Sequence, residues 1–250
     1  MKTQAITSDW HLDSSPPGRH FGLIALDGDQ TIERDFINMK PEEVSFYTTR
    51  VLYAEENTLE NLKTMGARLS GAASLILPTE KLDCIAYGCT SATVALGYDE
   101  VARQINQSRP DTPVVTPMTA AFMAFEHLGI SRLSLLTPYH QNVSDLMAGY
   151  VIDHGYSVLN SHSFLLQNSS DLQRLSLDSI LAGAKETCHK DADALFIACT
   201  GIRALELVEL LEEALQKPVL TSNQCMFWEC LRHCGYSGSI SGFGKLMRHI

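Results

Sequence analysis

The sequence predicts an α/β protein of two similar lobes, each built on a parallel sheet and related to the other by a pseudo-twofold axis. Three observations carry that prediction. Short apolar runs rich in β-branched residues alternate with longer stretches of helical period, as strand–helix–strand crossovers require. The chain also repeats once, at an offset of 105 to 110 residues. Finally, 250 residues with 45% hydrophobic and 19% charged side chains are enough to enclose a large core.

Taken in order, the strand signals are Phe21–Leu26, Ala73–Leu77, Cys84–Tyr87, Val114–Val115, Leu133–Leu136, Ala194–Ala198 and Val219–Leu220. Helical periodicity runs through Thr58–Ser70, Ala92–Gln107, Ala120–Leu128, Ser144–His154, Leu177–Cys188, Ile202–Leu215 and Gln224–His233. Gly129 and Gly155 sit where helices stop, and Ser144 with Asp145 reads as a helix opening. In the repeat, Leu23–Leu26 matches Leu133–Leu136, Ile85–Thr90 matches Phe196–Thr200, and Pro113–Thr116 matches Pro218–Thr221. Two copies of this length suit paired lobes rather than a solenoid, and they place a site in the cleft between them. A strand signal at 218–221 followed by one more helix sends the chain back at its end. The expected lobes are therefore 1–118 with 222–250, and 119–221. Thr3–His20 reads as a loose leader.

The charge balance excludes several functions. Nineteen basic against 29 acidic residues give a net charge of −10 without any like-charge run, which argues against nucleic acid or an anionic membrane as partner. No apolar stretch reaches the length of a membrane span and no secretory segment opens the chain, so a cytoplasmic location is expected. Seven cysteines in a chain this large are expected to be reduced thiols rather than a disulfide framework. No glycine-rich phosphate loop supports nucleotide binding.

Each repeat places a cysteine directly after a buried-type strand and before a helical stretch: Cys89 in Gly88-Cys89-Thr90-Ser91, and Cys199 in Ala198-Cys199-Thr200-Gly201. In open α/β sheets the carboxyl ends of strands form the ligand crevice, and a helix N-terminus there supplies N–H donors and positive dipole. Such a place is expected to lower a thiol from its ordinary pKa of about 8.5 and to bind a carboxylate. Small neighbours Ser91 and Gly201 let a ligand approach the backbone, and Thr90 and Thr200 add hydroxyls. Across a pseudo-twofold axis the two sulfurs face each other. One thiolate can then take a proton from carbon while the opposite thiol delivers one to the other face. The competing reading makes both cysteines small core hydrophobes; their duplication in matching turns favours chemistry. Cys225, Cys230, Cys234 and His233 invite a zinc reading, but Cys225 and Cys234 lie on opposite sides of a helix, so no metal site is expected.

Gly88-Cys89-Thr90-Ser91, Leu136-Thr137-Pro138-Tyr139, Cys199-Thr200-Gly201-Ile202-Arg203 and Lys217–Gln224 together resemble the Asp/Glu racemase superfamily, and within it the maleate isomerase and arylmalonate decarboxylase branch. Asp29–Phe36, Leu75–Pro78, Ser222–Gln224, Trp228 and Leu231-Arg232 are similar to the ectoine-utilisation EutA family. The resemblance implies two flavodoxin-like, three-layer lobes, an interlobe site, no cofactor, no metal and a homodimer. It implies a small-molecule carboxylate as substrate, with Tyr139 hydrogen-bonded to that carboxylate. Arylmalonate decarboxylases are similar but carry glycine at the position of Cys89, which argues against decarboxylation here. Maleate isomerases carry asparagine where this chain has Asp29; a carboxylate there repels a dicarboxylate and favours an ammonium group.

The expected function is thus a cofactor-independent racemase or isomerase on a small amino acid or derivative, in ectoine utilisation as the resemblance suggests. Cys89 and Cys199 are its catalytic pair, and Asp29, Thr90, Ser91, Tyr139, Thr200, Gly201 and Asn223 its substrate contacts, with Asn223 alternatively orienting a cysteine. Arg203 and Asn168 lie near the site motifs without an assigned role. The alternatives are cis–trans isomerisation of maleate type by cysteine addition, decarboxylation of arylmalonate type, and a catalytically silent binding protein.

Overall fold

The computed structural model describes residues 2–12, 18–56 and 58–250. In chain order its elements are β1 (Arg19–Leu26), α1 (Ile32–Met39), β2 (Val44–Val51), α2 (Leu59–Thr64), α3 (Gly66–Ser74), β3 (Ile85–Tyr87), α4 (Thr90–Leu96), α5 (Tyr98–Asn106), β4 (Val114–Val115) and α6 (Pro117–Leu128). The second half continues with β5 (Arg132–Tyr139), α7 (Gln141–Asp153), β6 (Ser157–Leu166), α8 (Ser169–Leu172), α9 (Leu177–Thr187), β7 (Ala194–Ile197), α10 (Val208–Leu215), β8 (Val219–Thr221) and α11 (Ser222–His233). Part of the leader at 3–20 lies outside the described residues; 2–12 have no regular secondary structure.

The repeat in the sequence is a repeat in topology. One sheet has the order β2-β1-β3-β4 and the other β6-β5-β7-β8, with every pairing parallel. Parallel strands need crossovers, and these helices cover both faces, so the central strands β3 and β7 are buried along their whole length. Each sheet runs outward in both directions from its first strand, and the carboxyl ends flanking that reversal are where ligands bind in such folds.

Two crossover helices tie the halves together. α6 leaves the first sheet and packs its Phe125 edge-on against Phe196 of β7, while α11 leaves the second sheet and sets Phe227 against Phe21 and Phe36. The two helices also pack against each other, bringing His127 onto Trp228. Thr116 and Thr221 cap them identically, each accepting from the third helical N–H while that residue's side chain returns to the cap. The tail beyond Gly242 crosses back onto α10, where Gly244 and Lys245 donate their N–H groups to Glu209 and Glu212.

Several local expectations need correction. Ala73–Leu77 is no strand: α3 runs to Ser74, Leu75 is 73% exposed, and the chain turns at Leu77 with φ of 41°. The stretch Thr58–Ser70 is split into α2 and α3, and Ala92–Gln107 breaks into α4 and α5 at Gly97, whose φ of 83° no helix can contain. Ser144 does not open a helix. It sits inside α7, and its hydroxyl donates to the carbonyl of Tyr139 at 3.0 Å. Among the described residues no helix is long and apolar enough to cross a membrane, and no group of His, Cys, Asp and Glu is arranged to hold a metal.

Candidate active site

The carboxyl ends of β1, β3, β5 and β7 enclose a cavity of about 460 Å³ between the two halves. Cys89 and Cys199 both line it, as do Asp29, Thr90, Ser91, Tyr139, Thr200 and Gly201. The loop after β2 and the loop after β6 meet over it: Ser169 donates its N–H to the Glu55 carbonyl at 2.9 Å, and Glu56 and Asn168 form an antiparallel bridge. Glu55 and Arg174 stand in the wall of this rim.

The two cysteines are not equivalent. Cys89 is the N-cap of α4, and its sulfur accepts the Ala92 N–H at 3.4 Å. Cys199 is followed by an irregular turn, with α10 starting only at Val208, so the expected helix directly behind it is absent. Its sulfur instead accepts the Gly201 N–H at 3.3 Å, in a turn whose carbonyls are held by other elements. The expected depression of the thiols does not occur either. Burial pushes Cys89 up to about 11 and Cys199 up to about 12; N–H and hydroxyl donors oppose this without reversing it, and the Asp29 charge adds to it at both sulfurs. The charge of one thiolate also raises the other, which places the two sulfurs within electrostatic reach of each other. Both are protonated at neutral pH.

Asp29 has two faces. Its Oδ1 accepts the N–H groups of Thr31 and Ile32 at 2.7 and 2.9 Å, capping α1, while Oδ2 is buried without a hydrogen-bond partner. Burial raises its pKa; the two N–H groups and the nearby Arg50 guanidinium act in the opposite direction. An ammonium group beside Oδ2 would relieve this desolvated oxygen and would lower both thiols.

The hydroxyls are placed differently from expectation. Thr90 donates to Ser222 at 3.0 Å and Thr200 to the Gly88 carbonyl at 3.2 Å, so both donors brace the loops rather than await a ligand. Tyr139 lines the cavity with Cys199, and its hydroxyl acts to lower that thiol against the rise from burial. Asn223 does not line the cavity. Its side chain lies behind the wall and donates to Asp35 at 2.8 Å and to the Thr200 carbonyl at 2.9 Å. Arg203 and Asn168 are also outside the wall: the Arg203 Nε is buried without a partner, and Asn168 borders a neighbouring pocket. Tyr53 was missed. It lines the cavity, and burial with the nearby thiols holds its phenol pKa well above the ordinary value, so that it stays protonated as a donor. Recognition of β2 would have found it, because it lies two residues past that strand's carboxyl end.

Known proteins resemble this chain in sequence and in fold. Residues 84–247 match the arylmalonate decarboxylase family. The maleate isomerase of Alcaligenes faecalis is 21% identical over 227 residues, 88% of this chain and 89% of that protein. The arylmalonate decarboxylase of Bordetella bronchiseptica is 25% identical over 138 residues, 54% of this chain and 57% of that protein. In three dimensions the chain resembles a mutant of the Nocardia farcinica maleate cis-trans isomerase that carries a covalently bound succinylcysteine intermediate. That likeness has a TM-score of 0.84 at 22% identity and covers 92% of this chain and 98% of the other.

Proposed function

We propose that this chain, which belongs to the arylmalonate decarboxylase family, is a cofactor-independent isomerase in which Cys89 and Cys199 form an acid/base pair on a small carboxylate, best an amino acid or a derivative that keeps its ammonium group. The observation that supports the reading is the enclosure of both thiols and Asp29 in one interlobe cavity. In the proposed cycle the substrate ammonium sits beside Asp29 and offsets its negative charge, which adds to burial in holding the thiols protonated. One sulfur, deprotonated, takes the Cα proton. The electron pair moves into the carboxylate, and the opposite thiol gives its proton to the other face. Each turnover leaves the two sulfurs with exchanged protonation. N–H groups of the first turn of α4, Ser91 and the Tyr53 phenol face the developing oxyanion. Thr90, Thr200, Gly201 and Tyr139 shape the wall and the thiols' surroundings. We assign 1–118 with 222–250 to the first lobe and 119–221 to the second. A role in ectoine utilisation, a homodimer and a cytoplasmic location rest on the sequence resemblance and composition alone.

A second reading is favoured by the maleate isomerase relatives. A deprotonated cysteine adds to one alkene carbon of a cis-dicarboxylate while the other thiol protonates the neighbouring carbon. Rotation and the reverse elimination then give the trans isomer. Here Asp29 would have to be protonated to tolerate the second carboxylate.

Both readings are tested by incubating the protein in deuterium oxide with a panel of amino acids, measuring deuterium at Cα, and by following maleate loss separately. The first predicts exchange that Cys89→Ser and Cys199→Ser each reduce by several orders of magnitude, since a hydroxyl is a far poorer base than a thiolate. Turnover of maleate without amino-acid exchange selects the second. Full activity in both serine variants contradicts either.

A further inference from the structure

Helix α1 grips the turn that carries Cys199. Thr31 is its N-cap position, yet the Thr31 side chain does not cap the helix. Asp29 accepts the N–H groups there, and the Thr31 hydroxyl instead donates across the lobe boundary to the Gly201 carbonyl at 3.0 Å. One helical turn later on the same face, Asp35 is 1% exposed, and its Oδ2 accepts from the Asn223 Nδ2 at 2.8 Å. The same Nδ2 donates to the Thr200 carbonyl at 2.9 Å. Two consecutive carbonyls after Cys199 are therefore tethered to α1, one directly and one through Asn223. The turn they fix is the one that aims the Gly201 N–H at the Cys199 sulfur. The Cys89 turn needs no such tether, because α4 holds it.

We infer that Asp35, acting through Asn223 and together with Thr31, is a positioning residue that holds the Cys199-Thr200-Gly201 turn in its reactive geometry. The inference rests on the reading of Cys199 as a reactive thiol. The buried carboxyl is well suited to the task. Asn223 lies in the second position of α11, so its amide can reach both the α1 acid and the β7 loop; an acid at 35 gives one amide hydrogen a fixed acceptor and leaves the other for Thr200. Arg34 lies 3.6 Å from the other Asp35 oxygen and pairs with Glu206 at 2.7 Å, which ties the same end of α1 to the second half at the surface.

The test needs no substrate. Hydrogen–deuterium exchange of the amides at 200–203 and alkylation of Cys199 by iodoacetamide are compared with the same readouts at 90–93 and Cys89. Asp35→Ala is expected to speed exchange and alkylation at the Cys199 turn by about tenfold, the loss of one buried hydrogen bond, and to leave the Cys89 turn unchanged. Asp35→Asn keeps an acceptor for Asn223 and is expected to restore most of the protection, which a role in overall stability alone would not produce. Thr31→Val, nearly isosteric, is expected to loosen Gly201 in the same direction, and it decides the matter if Asp35→Ala does not fold. Where an assayed substrate exists, kcat should fall in Asp35→Ala with KM little changed. Equal loosening of both turns in Asp35→Ala, or no change at the Cys199 turn in Asp35→Ala or, where that variant does not fold, in Thr31→Val, overturns the inference. Failure of every substrate with these exchange results intact counts against the catalytic reading and not against the tether.

Discussion

Asp29→Asn isolates the electrostatics of the cavity. The amide keeps an oxygen to accept the Thr31 and Ile32 N–H groups, so α1 stays capped, while the negative charge that raises both thiols is gone. Like charges on the order of 10 Å apart, in surroundings of effective dielectric about 20, repel by about 1.7 kcal/mol, slightly more than one unit of pKa. Removing the repulsion favours the thiolate, so the sign is downward. In the native protein Cys89 and Cys199 should titrate at about 11 and about 12. In the variant each midpoint should fall by about one unit. The assay is the rate of iodoacetamide alkylation of each cysteine against pH, resolved by peptide mass spectrometry. Below the midpoint the rate should rise tenfold per pH unit, with Cys89 leading Cys199. A plateau below pH 9 in the native protein, or midpoints that rise or stay fixed in Asp29→Asn, refutes this electrostatic reasoning.

Further outcomes follow from burial. The Cys89 and Cys199 thiols have folded pKa values raised above the ordinary one of about 8.5, so their contribution to stability is complete below that pH and is lost as pH climbs toward about 11 and about 12. Denaturant midpoints should therefore decline above pH 9, at about 1.4 kcal/mol per pH unit for each thiol, and Cys89→Ser should make the decline shallower. A flat profile from pH 8 to 11 contradicts the burial of these groups. Phe227→Ala empties the centre of the Phe21–Phe36–Phe227 cluster between α11 and β1, and urea titration should show a loss of about 3–5 kcal/mol. A loss below 1 kcal/mol would mean that α11 does not belong to that core.

The central strands were readable because burial on both faces leaves continuous apolar runs: Ile85–Tyr87 and Ala194–Ile197 are buried throughout. The edge strands β2 and β6 were not, since they interleave exposed residues such as Ser45, Arg50, Ser157 and Ser161 with half-buried ones and lack a long apolar run. The misread Ala73–Leu77 is apolar for another reason, as the end of α3 and a turn over the sheet. At the site, strand-end position found both cysteines and their small neighbours, while Asp29 and Tyr139 came from the family resemblance. It failed for Tyr53, whose strand went unseen, and for Asn223, whose side chain turns away from the cavity toward Asp35. The direction of the thiol shifts was also out of reach, because desolvation depends on how tightly the two halves close, and no local motif encodes that.

A crystal structure of the native protein soaked with malonate, a small carboxylate probe, tests the central claim most directly. The account predicts the carboxylate at the first turn of α4 with its carbon between the sulfurs of Cys89 and Cys199. A probe bound elsewhere, or sulfurs turned away from one another with no ligand-sized gap, contradicts it.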